Sequence, residues 1–376
     1  MHFHFPISVL LLTSLCFASA GARPTGRDES SNTCDADTLS SSATSTSTSD
    51  YSTVSPTSTS SLTSSTAIPS SIPDPKQGGV SEPRFVLYAN AELDDTSWPT
   101  AQYLAGWNVL NLGYLYGNDT GQAPYQATGS ALSWTKLGEA RRKEILEDYR
   151  TANISVMVSV FGWGPAPVAS NRNATQSAWV VASFVREYNL TGVDVEFEEF
   201  DAFDTMAGAA WLVEFTIALR TKLPPPMYTI SHAPLASLFV TDAYGHINEL
   251  VGSSIDFYNL QMYNQGDYSS CESLLHKSTK VNGTSVFEIS NNFNIPLDKL
   301  VIGMPYDPTY ASGLDAMDEQ TLAACIQQDF ADTSTTTGSQ SPGWKAGVMS
   351  WPYIVTPPGA NTEWLNTVTG HNFDVV

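Results

Sequence analysis

The sequence predicts an α/β fold, a (β/α)8 TIM barrel preceded by a disordered Ser/Thr-rich segment. Eight short runs rich in β-branched and aromatic residues follow one another between residues 84 and 353. Apolar residues at helical spacing occupy the stretches between them. No Pro/Gly-rich linker interrupts these roughly 290 residues, a length that suits one large barrel. Strands alternating with helices also build open, doubly wound sheets, and that arrangement is the alternative on pattern alone. No repeat of about 20 to 50 residues is present, which argues against a solenoid or a propeller.

Residues 1–20 are expected to be a signal peptide: an apolar run from Ile7 to Phe17 is closed by Ala18-Ser-Ala20, a small-x-small cleavage pattern. The apolar core is shorter than the roughly 20 residues that a bilayer span needs. Residues 21–83 are expected to be a disordered stalk. Ser and Thr dominate from Asp28 to Ser81, without the large apolar side chains that would offset the entropy of ordering. Behind a signal peptide such a tract reads as an O-glycosylated stalk or as a plain flexible linker. Residues 84–376 would then form the barrel.

The runs, in chain order, are Phe85–Tyr88, Val109–Leu115, Ser155–Phe161, Gly192–Glu198, Met227–Ser231, Ile255–Tyr263, Leu300–Pro305 and Gly347–Trp351. Between the third and fourth, Val181, Phe184, Val185 and Tyr188 recur at i, i+3, i+4 and i+7 and so line one stripe of a helix. Leu212, Phe215 and Leu219 do the same after the fourth, and the prolines from Pro224 to Pro226 end that helix.

Asp and Glu number 38 against 17 Lys and Arg, a net charge of -21. So few basic residues exclude nucleic acid and an anionic membrane as partners, because both need basic patches; a neutral sugar is compatible. In an oxidising compartment Cys271 and Cys325 could pair within the folded part, which leaves Cys34 free or bridging to another chain. Asn-x-Ser/Thr sequons stand at Asn118, Asn153, Asn173, Asn189 and Asn282, as in a secreted glycoprotein.

The chemistry is in the fourth run. Side chains alternate along a strand, so Asp194, Glu196 and Glu198 project to one side while Val193, Val195 and Phe197 project to the other. Alternation alone also describes an amphipathic strand with a solvated acidic face. In a barrel the apolar face meets the helices, and the acids point into the core and toward the C-terminal mouth. Carboxylates crowded there cannot all ionise cheaply, so at least one is expected to hold a proton near neutrality, as a general acid must.

Thr191 to Glu198 resembles the Asp-x-x-Asp-x-Asp-x-Glu motif of glycoside hydrolase family 18, the chitinases and endo-β-N-acetylglucosaminidases, with Glu198 at the terminal glutamate. Ser159-Val-Phe-Gly162 falls on the third strand where the family has Ser-x-Gly-Gly. Gln261-Met-Tyr263-Asn264 ends the sixth like the Gln-x-Tyr-Asn of plant-type chitinases, and Trp351 ends the eighth. The resemblance runs from Arg84 to Tyr353, with each feature near the C-terminal end of a strand, where barrel enzymes place catalysis.

The resemblance implies a secreted, retaining hydrolase of β-1,4-linked N-acetylglucosamine in which the substrate's own 2-acetamido oxygen attacks the anomeric carbon. Glu198 would be the general acid and base, Glu196 would orient the acetamide N–H, Tyr263 would bond its carbonyl, and Asp194 would tune Glu196 from beneath. Trp351 would form an apolar floor, with Gln261, Asn264, Ser159 and Gly162 completing the substrate-binding set. No cofactor or metal is expected, since no His-Glu-x-x-His or glycine-rich phosphate loop occurs. The expected partner is an N-acetylglucosamine-containing polysaccharide or glycan, with no nucleic acid and no membrane after signal removal, and the chain is expected to act as a monomer. Two positions depart from the motif: Thr191 replaces its first aspartate and Glu196 its third. If the site is otherwise family-like, Glu196→Asp restores the reach and raises kcat; if the pocket is adapted to glutamate, aspartate leaves a gap and activity falls. The departures also leave open a catalytically silent lectin-like protein that keeps the cleft, and the motif does not separate chitin from the core of an N-glycan.

Overall fold

The computed structural model describes residues 79–116, 126–162, 166–240, 243–311, 316–331, 345–371 and 373. The expected signal peptide, residues 21–78 of the expected stalk with Cys34, and Asn118 lie outside these residues. Eight parallel strands form the barrel: β1 (Arg84–Ala89), β2 (Val109–Tyr116), β4 (Ser155–Gly162), β5 (Gly192–Phe197), β6 (Thr229–His232), β7 (Phe257–Gln261), β8 (Leu300–Pro305) and β9 (Gly347–Trp351). β1 pairs with both β2 and β9, so the sheet closes on itself. A short strand β3 (Gln126–Ala127) adds antiparallel to β2 at Leu115 and Tyr116.

All eight expected runs are barrel strands; most edges agree within one residue, and two runs have edges shifted by two. The fifth begins at Thr229 rather than Met227, because Arg220 Nη1 bonds the Tyr228 carbonyl at 2.9 Å and holds the chain in the turn that follows the prolines. The sixth ends at Gln261; beyond it the chain turns through Asn264, whose φ is 63°, a left-handed value that no strand continues.

Strand and helix faces follow the expected periods. Val193, Val195 and Phe197 of β5 are buried against the outer helices, and the Phe197 ring meets Trp211 at 5.8 Å and Phe203 at 5.4 Å. Helix α3 (Ala174–Glu187) buries Val181 and Val185, with Phe184 and Tyr188 half-buried at its edge. Helix α5 (Ala207–Lys222) buries Leu212, Phe215 and Leu219. A Cβ on Gly192 would lie 2.2 Å from the Thr229 carbonyl oxygen, so only glycine lets β5 start this close to β6.

Cys271 and Cys325 are bonded, with Cα atoms 5.0 Å apart and a sequence separation of 54. The bond ties the segment after β7 to helix α8 (Glu319–Ala331). Asn153, Asn173, Asn189 and Asn282 are all exposed.

Candidate active site

Asp194 lies at the bottom of the site, fully buried inside the barrel. In parallel strands, register partners point the same way, and the register Ser159↔Asp194↔Ser231 turns all three side chains inward. Ser159 Oγ donates to Asp194 Oδ2 at 2.8 Å and Ser231 Oγ to Oδ1 at 2.7 Å. Across the barrel, Tyr88 Oη donates to Oδ2 at 2.7 Å and Asn259 Nδ2 to Oδ1 at 3.0 Å. Burial pushes this carboxyl up from its ordinary value, and the four donors oppose the shift.

One step up the strand, Glu196 is half-buried at the cleft. Burial pushes its carboxyl well above the ordinary range, the charges of Glu198 and Asp194 push it further, and the Tyr114 and Ser159 side chains act in the opposite sense. Glu198, just beyond the last residue of β5, is also raised by burial, with Gln261 opposing: Gln261 Nε2 donates to Glu198 Oε1 at 3.3 Å and to the Ala233 carbonyl at 2.9 Å. Burial of two neighbouring carboxyls favours their protonated forms, which is the direction a proton donor needs.

Above these acids opens a cleft of ≈ 620 Å³. Tyr263, Gln261, Asn264 and Trp351, all singled out from the sequence, line it together with Glu196 and Glu198. Tyr263 is buried at the end of β7, and burial holds its phenol well above its ordinary value of 10.0, so the hydroxyl stays a donor. The Gln265 amide braces this corner by bonding the carbonyls of Gln261 at 2.6 Å and Tyr263 at 2.9 Å. Trp351 meets the Tyr310 ring edge-on at 5.9 Å.

Two expected substrate-binding residues act at one remove. Ser159 is fully buried and bonds Asp194, so it cannot touch a ligand from there. Gly162 packs under Tyr114: a Cβ on Gly162 would sit 3.1 Å from that ring. The sequence reading missed Tyr88, Ser231 and Asn259 beneath the acids, and Tyr114, Tyr116, Phe200, Leu235 and Tyr310 around the cleft. Tyr88, Tyr114, Ser231 and Asn259 stand in recognised runs but carry no motif, and what they meet depends on how distant strands close; Tyr116, Phe200, Leu235 and Tyr310 lie outside the runs.

The barrel resembles solved chitinase structures. One from Pseudoalteromonas aurantia superposes with a TM-score of 0.61 at 22% identity, covering 76% of this chain and 99% of that one. A putative chitinase A from Streptomyces coelicolor gives 0.55 at 18% identity over 76% and 96% of the two chains. A chitinase from Chromobacterium violaceum gives 0.55 at 15% over 77% and 83%. No curated protein matches the sequence. The family model of the glycosyl hydrolases family 18 matches residues 83–371. That span takes in every barrel strand and all the acids of the cleft, and the chain belongs to glycosyl hydrolases family 18.

Proposed function

We propose that this chain is a secreted hydrolase of β-1,4-linked N-acetylglucosamine, in chitin or chitooligosaccharides, working by substrate-assisted retention with Glu198 as general acid and base. The observation that carries the reading is the row of acids along β5 and just past its end: a buried Asp194 with four donors, and above it Glu196 and Glu198 lining the cleft. Glu198 protonates the leaving glycosidic oxygen while the substrate's acetamide oxygen attacks C1, and then takes a proton from the incoming water. Glu196 faces the acetamide N–H and balances the cation that forms. The Tyr263 hydroxyl donates to the acetamide carbonyl, and Trp351 supports the sugar face. Net charge favours a neutral polymer over an anionic one. The Cys271–Cys325 bond and the exposed sequon asparagines support secretion into an oxidising compartment.

The second reading, a glycan-binding protein without turnover, is favoured by Glu196, whose extra methylene moves a carboxyl at the reacting centre by about 1.5 Å, where ~1 Å can cost about a hundredfold in rate. Chitotetraose and a high-mannose glycopeptide, each incubated with the protein, separate the outcomes. Chitobiose or shorter products from the first support the proposal. Cleavage of the glycopeptide alone would make the chain an endo-β-N-acetylglucosaminidase, and binding without products would make it a lectin.

A further inference from the structure

We infer that Glu199 is a positioning residue, which holds Glu198 over the cleft by locking the loop between β4 and α3 to the end of the catalytic strand. The inference rests on Glu198 being the general acid.

The strand ends at Phe197, so Glu198 and Glu199 stand where no ladder hydrogen bond fixes the backbone. The side-chain bond from Gln261 to Glu198 is long, at 3.3 Å. Glu199 is held far more tightly. Its Oε2 accepts from the Val168 N–H at 2.8 Å and its Oε1 from the Ala169 N–H at 2.7 Å. Those donors open a turn in which Ser170, Asn171 and Arg172 bond back to the carbonyls of Ala166, Val168 and Pro167. Like the first amides of a helix, they are left without a carbonyl of their own turn, and a carboxylate satisfies both.

Glu199 also occupies the N-cap of a short helical turn, Phe200–Asp204, and its carbonyl accepts from the Ala202 N–H at 3.1 Å while the Glu198 carbonyl accepts from Phe200 at 3.0 Å. Its backbone is thereby bound to the segment that follows the acid, and its side chain to a loop from the neighbouring strand. Rotation of the backbone at Glu198 would have to break this two-point clamp. Both oxygens of Glu199 are occupied on the loop, so it serves as an anchor and not as a spare proton donor.

The test is Glu199→Gln, which keeps the shape and leaves one acceptor oxygen for two N–H donors. On a chitooligosaccharide, kcat should fall about tenfold to a hundredfold, the cost of a displacement of up to ~1 Å, with KM within about twofold. The acid limb of the pH profile should move, and the Val168 and Ala169 amides should exchange faster with deuterium. Glu199→Asp, which keeps two oxygens at shorter reach, should recover part of the rate lost in Glu199→Ala. Wild-type kcat in Glu199→Gln would overturn the inference, and so would a lowered kcat with unchanged protection at Val168 and Ala169. If the wild-type protein hydrolyses nothing, the proposed function fails by itself. Amide exchange across residues 198–200 then decides the clamp, and no change there in Glu199→Gln overturns it.

Discussion

The Asp194 carboxyl is fully buried, and its burial is tolerable because four donors aim at its two oxygens. Burial raises the cost of ionising Glu196 above it, the charges of Glu198 and Asp194 add to that cost, and burial raises Glu198 as well. The proposed mechanism needs a carboxyl that gives a proton and takes one back, and the upward shift of Glu198 serves that need. Glu198→Gln keeps the shape and the contact with Gln261 but has no proton to give, so turnover should fall by about 10²–10⁴-fold while oligosaccharide binding is retained. Steady-state rates beside calorimetric titration check this, and wild-type turnover would assign the acid elsewhere. Glu196 is the residue whose reading changes most with the structure in hand. The Tyr114 and Ser159 side chains favour its ionised form, and Gly162 leaves room for the Tyr114 ring. The site is therefore built around the longer acid, and Glu196→Asp withdraws the carboxyl from Tyr114. The expected outcome is a lower kcat with little change in binding, read from the kinetics of both proteins on one oligomer; a higher kcat would show that reach to the acetamide matters more than the Tyr114 contact.

At the level of elements, β4 and β5 act as a unit. Their six-residue register runs from Met157↔Gly192 to Gly162↔Phe197. At its upper end Phe161 takes a φ of 77° and Gly162 one of 59°. A left-handed phenylalanine costs on the order of 1–3 kcal/mol, and its ring offsets that by packing against Phe197, Trp211 and Phe215 at 5.9, 5.5 and 5.3 Å. The turn sits one residue below the catalytic end of β5, so aromatic packing outside the barrel sets backbone geometry inside it. On the opposite side, the disulfide joins the segment after β7 to α8 across 54 residues of sequence. In the chain-entropy model a loop of that size stabilises by roughly 4 kcal/mol. Replacing both cysteines by serine should lower the denaturation midpoint by a corresponding amount, whereas an unchanged midpoint would show that the bond constrains little in the unfolded chain.

For the whole molecule, stability against pH has a contributor away from the cleft. His232, on β6, is fully buried on the helix side of the barrel, with Thr216 Oγ1 3.2 Å from Nε2 and Tyr244 Oη 3.4 Å from Nδ1. Burial, with a further contribution from the Arg220 charge, pushes it down from 6.5 to about 3. The folded imidazole thus stays neutral while the unfolded one takes up its proton near 6.5, so between these values the unfolded state binds more protons. Stability present above pH 6.5 is lost as pH falls toward 3. The carboxyls of the cleft work the other way, since their raised values favour the folded state as pH falls toward their ordinary range. Comparison with His232→Gln separates the two. Between pH 6.5 and 4.5 the wild type should lose about 2 kcal/mol more than the variant, as each pH unit across a titrating group is ~1.4 kcal/mol. Equal slopes in the two proteins would mean that His232 titrates normally.

The alternation of strands and helices, the face on which Asp194, Glu196 and Glu198 stand, and the strand ends at which Tyr263 and Trp351 appear are legible in the sequence. These are local properties, fixed by a period of two along a strand and by apolar spacing along a helix. Which groups meet the acids follows instead from the closed barrel. Tyr88 reaches Asp194 across 106 residues and Asn259 across 65, because closing β1 against β9 and β2 brings distant strands into one interior. It also moved Ser159 from the substrate to Asp194, set Gly162 under Tyr114, and turned Glu199 to the loop behind β4. Register and closure are properties of the whole barrel, and no stretch of the chain carries them alone.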